Sequence, residues 1–117
     1  MKARSIRTGK IANIKKNREN ALTRLTVVSG MLPEKIINEV NVWKMTNRAF
    51  VERSAEAARK EETIKGKQKI GVIVYTKLKE DFSKKGIELS FEQCKDIFGS
   101  VEHYRVIDKR LRSMAHE

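Results

Sequence analysis

The chain has 117 residues, enough for one domain, with 39% apolar and 35% charged side chains, a net charge of +11 and a pI near 10.0. One cysteine excludes an internal disulfide and a thiolate zinc cluster, and no apolar run is long enough to span a membrane or serve as a signal peptide. With one proline and six glycines, little supports an all-β design, and the expected class is all-α: a small helical domain with a flexible basic N-terminal arm.

Charge is concentrated at the start. Lys2, Arg4, Arg7, Lys10, Lys15, Lys16, Arg18 and Arg24 stand against one acid, Glu19, in the first 24 residues. A cationic block on a nearly balanced body is an electrostatic footprint for a polyanion. Residues 1–10 have no amphipathic period and read as an extended, flexible basic arm.

Residues 11–66 read as a helical region. Ile11, Ile14, Leu22, Leu25 and Val28 fall near one helical face, interrupted by Arg18. Ser29-Gly30 supplies a stop, and Pro33 suits the first turn of the next helix. A long amphipathic helix is expected from about 34 to 64, because Ile36, Val40, Trp43, Asn47, Phe50, Ser54 and Ala57 recur at alternating spacings of four and three. Glu56 with Lys60 and Glu61 with Lys65 would support it on the outside. The seam suits packing within the fold, and a two-fold homodimer through this helix is also expected.

Gly66-Lys67-Gln68-Lys69 reads as a turn and as the start of a second helical region, 67–117. The run Ile70–Tyr75 is β-branched, which favours a strand. Ile70, Val74, Leu78 and Phe82, at every fourth position, favour a helix that ends near Gly86. Ser90 and Gln93 fit a capping box that opens a short helix with Phe91, Cys94, Ile97 and Phe98 on one face. Gly99 is expected to end it. A final helix follows, with Val101, Tyr104, Ile107, Leu111 and Met114 inward. The expected core is Leu22, Leu25, Ile36, Val40, Trp43, Phe50, Leu78, Phe82, Phe91, Ile97, Ile107 and Leu111.

A helix, the "GIELS" connection, a short helix, a glycine turn and a basic helix together resemble a helix-turn-helix module over about residues 70–114. Lys95 stands four places before Gly99, where such modules usually carry alanine. The resemblance implies that the last helix lies in a major groove, with Glu102, His103 and Arg105 near base edges and Lys109 and Arg112 on phosphates. Further phosphate contacts would come from Lys2, Arg4, Arg7, Lys10, Lys15, Lys16 and Arg18.

Nothing in the chain points to catalysis, a metal or a cofactor. His103 and His116 have no companion ligands, and no glycine-rich phosphate loop is present. Cys94 lies in an apolar row, where a thiol is normally inert. The expected function is double-stranded DNA binding in a regulatory, DNA-packaging or replication-accessory role, of the kind small basic helical proteins fill in phages and plasmids. The expected location is cytoplasmic, with the nucleoid as the site of action and no membrane partner. Structured or ribosomal RNA is the second expectation, and a helical adaptor or inhibitor gripping an acidic protein surface is the third.

Overall fold

The computed structural model describes residues 2–115, with side chains from Gly9 to Met114. Five helices follow one another: α1 Lys2–Ser29, α2 Pro33–Thr46, α3 Arg48–Lys60, α4 Ile64–Lys84 and α5 Phe91–Ala115, with no strand among the described residues. No described helix is long and apolar enough to cross a membrane.

The first helix is longer than its sequence pattern indicates. The segment 1–10, expected as an extended arm, has helical backbone from Lys2 onward and is continuous with the stripe beginning at Ile11. Alanine, lysine and arginine are good helix formers, and Gly9 costs only about 1 kcal/mol within a helix. The end lies where expected. Gly30 adopts φ +68°, and the Ser29 hydroxyl donates to the Leu25 carbonyl at 2.6 Å while accepting from the Met31 amide at 3.1 Å. Pro33 then opens α2, after Leu32 in the extended conformation that a following proline favours.

The single helix expected over 34–64 is two helices. Asn47 leaves helical geometry (φ −109°, ψ 29°), and both its backbone N–H and its Nδ2 donate to the Trp43 carbonyl, at 3.0 and 2.9 Å. An asparagine side chain competes for backbone partners in this way and loosens the ladder. Ile36, Val40 and Trp43, the apolar half of the expected seam, are buried in the chain's own core. In α3 no residue is buried, though Phe50 and Val51 lean on that core.

The turn expected at Gly66–Lys69 lies earlier, at residues 61–63. Thr63 caps α4 by accepting from the Gly66 amide at 3.0 Å, so Gly66 stands in the first turn of a helix. Glu61 accordingly falls outside the helical frame that would pair it with Lys65, whereas Glu56 pairs with Arg59 at 2.6 Å and Lys60 at 3.9 Å. The ambiguous run 70–75 is helical. Val74, Leu78 and Phe82 are buried at four-residue spacing, while Val72 and Ile73, which give the run its strand-like look, face solvent.

The end of α4 is a Schellman motif. The Ile87 amide reaches the Phe82 carbonyl at 2.9 Å, the Gly86 amide reaches Ser83 at 3.0 Å, and Gly86 takes φ +83°. The expected capping box forms next: the Gln93 amide donates to Ser90 Oγ at 3.1 Å, and the Ser90 amide donates to Gln93 Oε1 at 2.9 Å. Gln93 also donates through Nε2 to the Val28 carbonyl at 2.9 Å, tying the start of α5 to the end of α1.

Gly99 does not end a helix. It lies exposed within α5, which is continuous from Phe91 to Ala115. The reason is visible in the apolar row: Cys94, Ile97 and Val101 are fully buried at spacings of three and four, and burying this row holds the backbone helical past the glycine. The turn on which the helix-turn-helix resemblance depends is therefore absent. The C-terminal part is α4, a six-residue connection at 85–90 and one long helix. An added Cβ at Gly99 would meet nothing within 4 Å. Gly99→Ala is thus expected to raise stability by about 0.5–1 kcal/mol through helix propensity alone, to be read as a shifted urea midpoint at unchanged slope.

α1 and α5 pack antiparallel, since Val28, Arg24 and Arg18 meet Gln93, Asp96 and Asp108 in turn. The main core gathers Leu25, Ile36, Val40, Trp43, Val74, Leu78, Phe82, Cys94, Ile97 and Val101. A smaller cluster of Ile14, Ala21 and Ile107, flanked by Tyr104, Leu111 and Met114, continues along the α1–α5 pair alone. Leu22, Phe50, Phe91 and Leu111, expected in the core, are half-buried at its margin. The radius of gyration is 16.7 Å, against roughly 13 Å for a compact chain of about this length. The molecule is a helical body from which a two-helix stalk projects.

Candidate nucleic-acid interface

The stalk collects charge from both ends of the sequence. Residues 1–16 contain six basic side chains and no acid, and residues 109–115 add Lys109, Arg110 and Arg112, again with no acid. Antiparallel packing places these two segments at the same end of the α1–α5 pair. The side chains of Lys2, Arg4 and Arg7 lie outside the described residues. Lys10, Lys15, Lys16, Lys109 and Arg110 are exposed and make no ion pair among the described residues. Lys10 joins Val106, Lys109, Arg110 and Ser113 around one shallow surface depression.

Other expected phosphate contacts are engaged within the chain. Arg18, the interruption in the α1 stripe, lies across the stalk from Asp108, with Nε 3.4 Å from Oδ1 and the guanidinium 5.9 Å from the centre of the Tyr104 ring. Arg112 pairs with the same carboxylate from one turn along α5. Asp108 is thus a polar layer in the stalk, of the kind that fixes register between helices.

Of the three expected base readers, Glu102 and Arg105 pair with each other and His103 lies apart. Glu102 accepts from Lys44 of α2 and from Arg105, the latter at 3.3 Å, so its carboxylate is spent on joining the body to the stalk. Arg105 lines a surface depression with Lys109 and Arg112. His103 instead faces the groove on another side of α5, with Asn17, Asn20 and Gly99. Two residues are about 200° apart on a helix, so His103 and Arg105 cannot serve one face. Sequence reasoning missed Arg110, Val106 and Ser113. The spacings 106/110 and 109/113 were the available signal.

Lys44 is the most perturbed amine. Its ammonium lies 4.5 Å from the centre of the Phe98 ring with the side chain only 14% exposed. Burial, and secondarily the charge of Arg105, push its pKa down to about 8. Because the unfolded chain holds this proton up to a higher pH, the wild type should gain stability over Lys44→Met as pH rises from about 8 towards 10.5. Parallel urea titrations across that range measure the difference, and a pH-independent gap would show that Lys44 titrates normally.

Among the described residues no group of three or more His, Cys, Asp or Glu could hold a metal ion. Cys94 is fully buried, and burial pushes its thiol pKa up. No protein-family model, curated protein or solved structure matches the chain.

Proposed function

We propose that this protein binds double-stranded DNA through its phosphates, using the basic end of the α1–α5 stalk, in a regulatory, packaging or replication-accessory role in the cytoplasm. The observation that carries the reading is the convergence of cations with no ion pair among the described residues: Lys10, Lys15 and Lys16 from one end of the chain and Lys109 and Arg110 from the other. Phosphate contacts of this type provide affinity and orientation without choosing bases. The role is binding rather than catalysis. Without the glycine turn, a compact recognition module is not part of the proposal.

The test is a salt titration of binding to a labelled duplex, with the full chain and with a variant lacking residues 1–10. That deletion removes Lys2, Arg4, Arg7 and Lys10, so the log–log salt slope should fall by up to about 3.6 if all four meet phosphate. Binding that is insensitive to salt, or unchanged by the deletion, rejects the reading. Stronger binding to structured RNA than to the DNA duplex would move the proposal to RNA.

A further inference from the structure

The side of α5 turned away from α1 carries an arrangement that phosphate binding alone does not require. Arg105, Val106, Lys109, Arg110 and Ser113 are spaced one, three, one and three residues apart, which gathers them on one side of the helix. In their midst Val106 is 66% exposed. It borders two surface depressions: one where Arg105 and Arg112 are paired with Glu102 and Asp108 and Lys109 is not, the other shared with Lys10, Lys109, Arg110 and Ser113. Past Glu102, which is held by Lys44, the buried contacts of α5 are with α1, so this side of the helix is open.

We infer that this face of α5 enters the major groove of B-form DNA and sets Val106 against a thymine methyl group. The inference rests on the proposed DNA-binding function and names the contact that would give it base preference. A valine flanked by Lys10, Lys109 and Arg110, none of which makes an ion pair among the described residues, suits a partner that offers negative charge and apolar surface within a few ångströms of each other. The major groove does this. Its rims are phosphate, and each A·T pair displays the thymine 5-methyl on its floor. A groove about 12 Å wide admits a helix about 10–12 Å across. The deep, narrow major groove of A-form RNA does not, and uracil has no methyl to meet. In this arrangement Lys109, Arg110 and Lys10 hold the rims while Val106 faces the base edges.

The experiment compares a 20-base-pair A·T-containing DNA duplex with the same duplex in which every thymine is replaced by uracil. Pairing and phosphate charge are retained and the methyl groups are lost. Fluorescence anisotropy with the full chain should show weaker binding to the uracil duplex, by about fourfold for each methyl that is buried. Val106→Asn, which alters an exposed position and should leave the circular dichroism spectrum unchanged, should bind the thymine duplex more weakly and be indifferent to the swap. Lys109→Ala should weaken binding to both duplexes and keep the discrimination. Equal binding of the wild type to the two duplexes, or discrimination that survives in Val106→Asn, overturns the inference while salt-dependent DNA binding stands. Preference for an RNA duplex of the same sequence also overturns it. Failure of the wild type to bind any duplex rejects the proposed function itself.

Discussion

Trp43→Ala is expected to lower the unfolding free energy by about 3–5 kcal/mol. The indole is 4% exposed and stands edge-on to two rings, with centroid distances of 6.5 Å to Phe50 and 6.4 Å to Phe98. It thereby joins α2 to both α3 and α5. Its Nε1 donates to Asp81 of α4 at 2.8 Å, so one side chain links four helices. Burial opposes the charged form of Asp81, but the bonds from Trp43 and Lys77 outweigh it and hold the carboxyl below its usual range. Truncation leaves a cavity and removes that donor together. Trp43→Phe narrows the comparison, because it keeps a six-membered ring in the core and removes the N–H with the two carbons beside it. It should cost about 1.5–3 kcal/mol, in the range for removing a hydrogen bond to a charged group. Urea unfolding followed by circular dichroism measures both. A near-neutral Trp43→Ala would mean that the ring does not hold the body together.

The largest functional effect is expected from replacing Lys10, Lys109 and Arg110 together by alanine. All three are exposed and make no ion pair among the described residues, so the fold should be untouched. If each releases a counterion on binding, the log–log salt slope should fall by about 2.7, and affinity near 0.1 M salt should drop by roughly 10²–10³-fold. The matching control is Arg48, Arg53 and Arg59 to alanine on α3, away from the stalk. It removes the same charge, and a specific interface predicts a much smaller loss. Equal losses from the two sets would mean that binding follows net charge and not the stalk.

Local signals read well from the sequence where one residue type answers one backbone need. Gly30, Pro33, Gly86 and the Ser90–Gln93 pair each mark a helix end that the structure shows at that place. Reading failed where tertiary contact outweighs local preference. Gly99 looks like a stop, yet the buried row Cys94–Ile97–Val101 carries the helix through it. Asn47 looks like a seam residue, yet its amide bonds to Trp43 and divides the helix. The interface was half legible. The basic N-terminal block was plain, but only packing reveals which cations are spent on carboxylates, as Arg18 and Arg112 are at Asp108, and which make no ion pair among the described residues. Arg110 and Val106 were missed because their neighbourhood is created by the pairing of two helices at opposite ends of the chain.

That pairing also sets an order of events during synthesis. Arg24 and Asp96 are 72 residues apart, a delay of several seconds at about 5–20 residues per second. Throughout it the most cationic helix of the protein can pack only at its C-terminal end, where Leu25 meets α2. Contacts this distant in sequence are slow to close, because chain entropy is lost before packing repays it. Ile14 and Ala21 therefore stay uncovered until α5 is nearly complete. A chain cut short before Tyr104 would retain the whole main core of the body and leave Ile14 and Ala21 without the α5 residues that cover them. For this fold, the final turns of α5 decide whether the apolar row of α1 is covered.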